Sequence, residues 1–284
     1  MKKINIFCFG FGQVAKNFIK KINTEKFSIN LSVTTREQSK AKQFNEIKYN
    51  NFIFNDEIFD NRLIENLKNS DHILISIPPI NGKDIVIKYF GEVIKECNPK
   101  WITYLSATSV YGDHKGEWVN EDSPTKPTSY NGIERLRAEN LWMNLYSNNK
   151  LPLQIFRLSG IYSNEGNILS RLKSGNVKIV NKKNHFFSRI HVEDIANILF
   201  ESLLNFKPGE VYNISDDKPA TSEAVTLYGA KLLSMNIPKR IEIKDIESEM
   251  LKNFYKDSKK VSNKKMKDRF NFELKYPTYI EGLD

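Results

Sequence analysis

Near the start of the chain, an apolar run leads into a glycine-rich turn and then into a helical pattern, an order that few folds accommodate. Residues Lys3–Phe9 form the apolar run, and the helical spacing covers Val14–Ile22. Between them, Gly10-Phe11-Gly12-Gln13-Val14-Ala15 fits G-x-G-x-x-A, in which the first glycine permits the bend and the second lets backbone approach a pyrophosphate. The sequence therefore predicts a dinucleotide phosphate site at Gly10, Phe11, Gly12, Gln13 and Val14. A tight structural turn is the alternative.

The chain alternates strand and helix patterns up to about residue 160. Further strands are expected at Phe27–Val33, Phe52–Phe54, His72–Ile77, Trp101–Leu105, Leu153–Leu158 and Val211–Ser215, and helices at Arg36–Ile47, Asn61–Lys68, Lys83–Glu96 and Gly132–Tyr146, with a strand and helix over Ser188–Leu204. This order predicts an α/β fold with a doubly wound parallel sheet, a Rossmann fold. The dinucleotide-binding domain would take residues 1–160 plus 186–215. Residues 161–185 plus 216–284 would form a smaller C-terminal substrate lobe.

The end of the second strand bears on the choice of dinucleotide. An Asp or Glu there would bind the ribose 2′-hydroxyl of NAD, but this strand ends in Thr35 and Arg36. A hydroxyl and a guanidinium suit a 2′-phosphate, which favours NADP(H) over NAD(H). An Arg36 that only begins a helix in solvent is the alternative. Ile77 and Pro78, where the strand His72–Ile77 stops, are further expected cofactor contacts.

Composition excludes several other classes of protein. The chain has 43 basic and 34 acidic residues, and its densest basic stretch, Lys256–Lys267, lacks the interleaved aromatic residues that stack on bases. A solvated surface is favoured there, so no nucleic-acid partner is expected. No apolar run is long enough for a membrane span, and Cys8 and Cys97 form neither a disulfide framework nor a metal-binding pattern. A cytoplasmic protein with a small-molecule substrate and no metal is expected. It could form a homodimer, but the sequence does not determine the oligomeric state.

Several later segments carry a family resemblance. They are Tyr104-Leu105-Ser106-Ala107-Thr108-Ser109-Val110-Tyr111-Gly112-Asp113, Pro127–Arg135 followed by Ala138-Glu139, Phe156–Tyr162, Ser188–Ala196 and Gly209–Ile214. In this order they resemble the extended short-chain dehydrogenase/reductase superfamily of NAD(P)-dependent epimerases and dehydratases, and most closely an atypical branch of it. The resemblance covers residues 4 to about 235.

The resemblance implies a catalytic apparatus that this chain alters. In the superfamily a Lys four residues after a Tyr holds the nicotinamide ribose and lowers the phenol pKa, and a Ser or Thr on strand five orients the substrate. Alignment on Gly132 puts Asn131 and Arg135 at the Tyr and Lys positions, and alignment on Val110-Tyr111-Gly112 puts Ala107 at the Ser/Thr position. Arg135 could still hold ribose hydroxyls as a donor. Ser106 and Thr108 could donate to substrate in place of Ala107, and Ser106 could also contact the cofactor.

Other residues could supply the acid or base. Tyr130 lies next to Asn131, but its partner four residues on is Glu134, which would raise a phenol pKa. Tyr111 would either face the cleft or pack as a buried aromatic residue. Asp113 and His114 would either form an acid–base pair or lie on a surface loop.

Two hypotheses about the function follow. One is an NADP(H)-dependent oxidoreductase or epimerase-like enzyme acting on a sugar-nucleotide-like or other small polar substrate. The other is a non-catalytic dinucleotide-binding sensor or scaffold.

Overall fold

The computed structural model describes residues 3–37 and 42–284. The chain divides into two compact units. The first comprises Met1–Ser106, Glu134–Arg157 and Ile195–Tyr212, and the second comprises Ala107–Ile133, Leu158–Asp194 and Asn213–Asp284. The domain limits expected from the sequence stay a prediction.

Strands and helices alternate through most of the described chain. The strands are β1 (Lys3–Phe9), β2 (Ser28–Thr35), β3 (Gln43–Phe44), β4 (Ile47–Ile53), β5 (His72–Ile75), β6 (Trp101–Ala107), β7 (Trp118–Val119), β8 (Leu153–Leu158), β9 (Gly160–Tyr162), β10 (Ile179–Val180), β11 (Phe186–Phe187), β12 (Arg189–His191), β13 (Val211–Ile214), β14 (Ala220–Thr221), β15 (Arg240–Ile241) and β16 (Lys260–Val261). The helices are α1 (Gln13–Thr24), α2 (Arg62–Lys68), α3 (Ile85–Glu96), α4 (Tyr130–Asn149), α5 (Ile168–Lys173), α6 (Val192–Leu204), α7 (Ser222–Leu232), α8 (Glu249–Lys256) and α9 (Lys264–Phe270), with short 3₁₀ turns at Thr108–Tyr111 and Ile243–Asp245.

The central sheet has the strand order β13-β8-β6-β5-β1-β2-β4-β3. Strand β1 pairs in parallel with β2 on one side and with β5 on the other, and β2–β4 and β5–β6 are also parallel. From β1 the chain runs outward through β2 and β4, then returns to β5 and continues in the opposite direction. This reversal is the switch point at which open α/β sheets bind ligands, at the carboxyl ends of the strands. The predicted doubly wound parallel sheet is confirmed, with the short edge strand β3 antiparallel to its neighbour β4.

Burial explains why these segments form a sheet covered by helices. Strands β5 and β8 are buried along their whole length, as expected where both faces are covered. Helix α1 buries Val14, Ala15, Phe18, Ile19 and Ile22, the apolar residues that its helical spacing places together. In the first unit, Trp142 of α4 and Phe90 of α3 belong to one apolar cluster with β1 and β5 residues.

One predicted helix, Arg36–Ile47, is wrong in its described part. Residues 38–41 lie outside the described residues, and Gln43–Phe44 and Ile47–Ile53 form an antiparallel hairpin. Asn45 and Glu46 between them both have positive φ, 45° and 65°, which is the backbone of a two-residue hairpin turn. The strand expected at Phe52–Phe54 is the end of the longer strand β4.

The second unit is built from short strand pairs around small apolar clusters. Strand β12 pairs in parallel with β9, and β11 pairs antiparallel with β14. One cluster contains Ala220, Val225, Tyr279 and Leu283, and another contains Val180, Ile246 and Tyr255. Among the helices of the described residues, none has the length and apolar character needed to cross a membrane.

Candidate active site

The glycine-rich turn between β1 and α1 is held by one side chain near the end of β2 and by another directly after β5. The backbone N–H of Gly10 donates to Thr34 Oγ1 at 2.9 Å, and Ser76 Oγ lies 3.0 Å from the Phe9 carbonyl and 3.1 Å from the Gly10 carbonyl. Gly10 has φ +87°, and a Cβ there would lie 2.7 Å from Ser76 Oγ. Glycine is therefore required by the protein itself at this position. The sequence analysis did not identify Thr34 and Ser76 as residues that hold the turn. The signal for them is a hydroxyl residue at the end of each strand expected to lie beside β1.

Gly12 differs, because the space in front of it is open. A Cβ at Gly12 would have no described atom within 4 Å. Gly12 is the N-cap of α1, makes no side-chain capping hydrogen bond, and no acidic residue lies in the first turn. The N–H groups at a helix start carry partial positive charge, so this opening is suited to an anionic group such as a pyrophosphate.

The remaining residues of the turn contribute mainly backbone. The Phe11 ring packs against Phe44 and Tyr49, with centroid distances of 5.6 and 5.2 Å. Val14 is 7 % exposed, whereas Gln13 is exposed. Ile77 closes the other side, since its Cγ1 lies 3.1 Å from the position of a Gly10 Cβ.

At the end of β2, the two residues expected to select the cofactor differ in availability. Thr35 Oγ1 lies 2.7 Å from the Glu37 carbonyl and 3.0 Å from Asn51 Oδ1, so its hydroxyl already donates a hydrogen bond within the protein. The Arg36 side chain is exposed and makes no hydrogen bond or ion pair with the described residues. Within the described residues, Arg36 is thus the group at the end of β2 whose side chain is available to bind an anion. Pro78, half-buried, follows Ile77 after β5.

Arg135 on α4 reaches the end of β6 within the first unit. Its Nη1 donates to the Leu105 carbonyl at 2.5 Å and lies 3.4 Å from the Tyr104 hydroxyl. The Nε and Nη2 groups of Arg135 have no partner in the described part of the chain, so they can still donate to hydroxyls. The next residue of β6, Ser106, is 2 % exposed, and its Oγ has no hydrogen-bond partner among the described residues.

In the second unit, the segment after β6 lies against the first turn of α4. A Cβ at Gly132 would lie 2.7 Å from the Ser109 carbonyl, so glycine permits this close approach. Asn131, next to it, is exposed. Ala107 is half-buried, and Thr108 is 7 % exposed with no side-chain hydrogen bond to a described residue.

The other acid or base candidates have mostly structural contacts. Tyr111 is not open to a cleft: it is fully buried, and its hydroxyl donates to Asn213 Oδ1 at 2.8 Å. The pKa of Asp113 lies below its ordinary value. Burial acts to raise it, but hydrogen bonds from the N–H groups of Ser258 and Lys115, with nearby lysines, outweigh this effect. His114 Nε2 lies 3.2 Å from the carbonyls of Tyr111 and Pro124. Tyr130 is 62 % exposed.

Comparisons with known proteins identify the family and the fold. The sequence model of the NAD dependent epimerase/dehydratase family matches residues 89–215. A functionally unknown conserved protein from Silicibacter pomeroyi is 32 % identical, with 98 % of this chain and 96 % of that chain covered and a TM-score of 0.88. No protein with a curated description matches the chain.

Two further structures share the fold at lower identity. The dTDP-glucose 4,6-dehydratase of Bacillus anthracis, in complex with NAD, is 18 % identical over 98 % of this chain and 94 % of that one, with a TM-score of 0.78. The UDP-N-acetylglucosamine 4-epimerase of Bacillus cereus is 17 % identical over 98 % and 97 %, with a TM-score of 0.75. The protein is thus of the extended short-chain dehydrogenase/reductase class. Within it, the chain belongs to the NAD-dependent epimerase/dehydratase family.

Proposed function

We propose that this chain is an NADP(H)-dependent oxidoreductase or epimerase-like enzyme that acts on a sugar-nucleotide-like or other small polar substrate. The opening at Gly12, in front of a helix start without a capping side chain, is the observation that carries the proposal. This opening lies at the carboxyl end of β1, the strand from which successive strands are added first on one side and then on the other. Family membership supports it, as do neighbours that contain NAD, one of them with UDP-glucose.

Particular residues would hold the dinucleotide. The backbone from Gly10 to Val14 would bind the pyrophosphate, and Ile77 and Pro78 would line the site beside it. Arg36 would pair with the 2′-phosphate, which is the reason to propose NADP(H) rather than NAD(H). Arg135, through Nε and Nη2, and Ser106, through its unpartnered hydroxyl, would bind the ribose of the nicotinamide. When bound, the nicotinamide would donate or accept hydride.

Acid–base chemistry must come from an atypical group. Asn131 does not titrate, and Arg135 cannot give up a proton near neutral pH. The side chains of Tyr111, Asp113 and His114 are hydrogen-bonded to other parts of the protein. Tyr130, which is 62 % exposed, is the candidate whose side chain makes no such contact with the described residues. Thr108 and Ser106 would donate to a substrate oxygen in place of Ala107, and Asn131 would hydrogen-bond a substrate carbonyl.

The test is turnover on a panel of nucleotide sugars and small carbonyl compounds, followed by cofactor absorbance and product analysis. We expect the wild type to act on at least one compound, and Tyr130→Phe to abolish turnover while cofactor binding is retained. Tyr89→Phe, at another partly exposed phenol, is the control. Full activity in Tyr130→Phe would overturn the role of Tyr130. Wild-type turnover on no compound would overturn the enzyme proposal.

A non-catalytic dinucleotide-binding sensor or scaffold is the second candidate, because Ala107, Asn131 and Arg135 occupy the three catalytic positions implied by the resemblance. The combined variant Ala107→Ser, Asn131→Tyr and Arg135→Lys restores the residues of the superfamily. If the wild type binds dinucleotide without turnover and this variant gains turnover, the sensor is favoured. A wild type that is already active excludes it.

Location and assembly complete the proposal. Cys8 and Cys97 are both buried free thiols, which supports the reducing cytoplasm as the compartment. We also propose a homodimer. Light scattering tests it, since a mass of twice 33.0 kDa is expected and a mass of 33.0 kDa would exclude it.

A further inference from the structure

The buried phenol of Tyr104 contacts the side chain of Arg135 inside the first unit. Tyr104, on β6, is fully buried, and its hydroxyl accepts a hydrogen bond from Arg135 Nη1 at 3.4 Å. The guanidinium carbon of Arg135 lies 6.0 Å from the centroid of the Tyr104 ring, within the range of a cation–π attraction. The same Nη1 also donates to the Leu105 carbonyl at 2.5 Å. Both hydrogen atoms of Nη1 are thus directed at acceptors on two successive residues of β6.

These contacts fix the plane of the Arg135 guanidinium and leave one of its edges free. The group is rigid and planar, so once Nη1 is held, the directions of Nε and Nη2 are set as well. Neither Nε nor Nη2 has a partner among the described residues, and together they form an edge that can donate two parallel hydrogen bonds. In the proposed function, this edge binds the hydroxyls of the nicotinamide ribose.

The Tyr104 ring is itself held by Trp142, which lies seven residues after Arg135 and therefore on the same face of α4. The Tyr104 and Trp142 rings are stacked, with centroids 6.1 Å apart and 28° between their planes. The Trp142 indole N–H donates to Asp84 Oδ2 at 2.8 Å, and Asp84 Oδ1 accepts from the Ile87 N–H as the N-cap of α3. Trp142 and Asp84 are buried as well. A continuous set of contacts therefore runs from the start of α3 through Trp142 to Tyr104 and Arg135.

The surroundings of Tyr104 suit a neutral acceptor and not an acid or base. Burial raises the pKa of Tyr104 well above its ordinary value, and the nearby Arg135 guanidinium only partly opposes this rise. The phenol therefore stays protonated near neutral pH, and because it is fully buried it does not itself meet a ligand. Phenylalanine would fill nearly the same space but offer no acceptor. The guanidinium could then turn about its remaining hydrogen bond to the Leu105 carbonyl.

We propose that Tyr104 is a positioning residue, which holds the Nε–Nη2 edge of Arg135 in the orientation that binds the ribose of the nicotinamide. A restrained Arg135 loses less side-chain entropy when the cofactor binds, which raises affinity without a further contact to the ligand. The inference rests on the proposed function, because Arg135 is the residue that would touch the dinucleotide. It adds a buried residue of β6 to a site otherwise described by the groups that contact the ligand.

Calorimetric titration of the full chain with NADP(H) and with 2′,5′-ADP, which lacks the nicotinamide ribose, tests the proposal. Tyr104→Phe should weaken NADP(H) binding by about threefold or more, the effect of one hydrogen bond, and leave 2′,5′-ADP binding unchanged. Tyr89→Phe, at a partly exposed phenol that donates to the Asp56 carbonyl, is the control and should change neither affinity. Equal losses for both ligands in Tyr104→Phe would indicate a general loosening of the core and overturn the proposal, as would an unchanged NADP(H) affinity.

Arg135→Met supplies a second test, because a positioning residue has no effect once the residue that it positions is gone. The combined variant Tyr104→Phe and Arg135→Met should bind NADP(H) with the affinity of Arg135→Met alone. A further loss of about threefold in the combined variant would show that Tyr104 acts independently of Arg135, and would overturn the inference.

Nitrogen-15 NMR of the chain without cofactor keeps failure of this inference apart from failure of the proposed function. The Nε–H signal of Arg135, assigned by its absence from Arg135→Met, should have the heteronuclear NOE of a restrained group in the wild type and of a mobile group in Tyr104→Phe. If the wild type bound no dinucleotide, the proposed function would be refuted, whereas this difference would still support the role of Tyr104 in holding Arg135. Equal heteronuclear NOE values in wild type and Tyr104→Phe would overturn the inference, whatever the affinities.

Discussion

At the scale of single residues, the two glycines of the turn after β1 are required for different reasons. Gly10 has φ +87°, and Ser76 Oγ occupies the space where a Cβ would lie. The folded chain itself therefore needs a residue without a side chain at this position. Gly12 has φ −82°, which any residue adopts, and its surroundings are open. A substitution at Gly10 should therefore lower stability, and one at Gly12 should affect the ligand alone.

Gly12→Val separates these roles. The valine side chain would occupy the space that the pyrophosphate needs, so NADP(H) affinity should fall at least about tenfold, which is about 1.4 kcal/mol. Calorimetry measures the affinity, and thermal unfolding should show an unchanged midpoint. Gly10→Ala is the matched control, with an expected loss of about 1–2 kcal/mol of stability from its left-handed backbone. Equal NADP(H) titrations for Gly12→Val and wild type would refute the phosphate site.

Arg36→Ala addresses the choice of cofactor. Because the Arg36 guanidinium is exposed and unpaired in the described chain, its removal should weaken NADP(H) binding and leave NAD(H) binding unchanged. The difference should be larger at low salt, since exposed charges are screened by ions. Titrations of both cofactors at two ionic strengths measure this. Tighter binding of NAD(H) than of NADP(H) by the wild type would show that the end of β2 does not select a 2′-phosphate.

At the scale of elements, the sequence predicted strands and helices well where burial is uniform and less well where turn chemistry decides. His72–Ile75 and Leu153–Leu158 are buried throughout, and their apolar runs were sufficient evidence. The hairpin of β3 and β4 was mistaken for a helix, because Phe44 and Ile47 have helical spacing and Asn45-Glu46 is not a usual turn pair. Glu46, the second turn residue, has a φ of 65°, a conformation that glutamate rarely adopts, so the local sequence gave no signal for this turn.

Helix α4 carries Asn131 and Arg135 one turn apart, and the prediction at this scale concerns Arg135. Arg135→Met should raise the NADP(H) dissociation constant by about tenfold through the loss of ribose contacts. The pH dependence of any turnover should not shift, because an arginine does not transfer protons near neutral pH. Arg137→Met, at an exposed arginine of the same helix, is the control for binding and should leave the NADP(H) dissociation constant unchanged. A shifted pH profile in Arg135→Met would instead indicate that Arg135 tunes a titrating group.

At the scale of the whole molecule, a formal charge of +9 says little about where charge matters. The ion pair of Arg62 with Asp60 lies on an exposed surface and contributes little to stability. Asp216 is buried and has no ion-pair partner among the described residues, although the sequence around it, Ser215-Asp216-Asp217-Lys218, looks like an ordinary polar loop. This is the part of the molecule that sequence reasoning could not anticipate, because burial of Asp216 depends on how distant segments of the second unit pack around it.

Asp216 therefore makes stability depend on pH. Its folded-state pKa of about 8 lies above the ordinary value of 3.8, so the native chain holds the proton more tightly than the unfolded chain. Stability from this group is complete below about pH 4, declines as the pH rises and is lost above about pH 8. Asn cannot titrate, so Asp216→Asn should gain about 2 kcal/mol or more relative to wild type between pH 5 and pH 9. Urea unfolding at both pH values measures the gain, and Asp217→Asn, whose carboxylate pairs with Lys267, should show no such gain. A difference between Asp216→Asn and wild type that stays constant from pH 5 to pH 9 would mean that Asp216 is ionised in the native protein across this range.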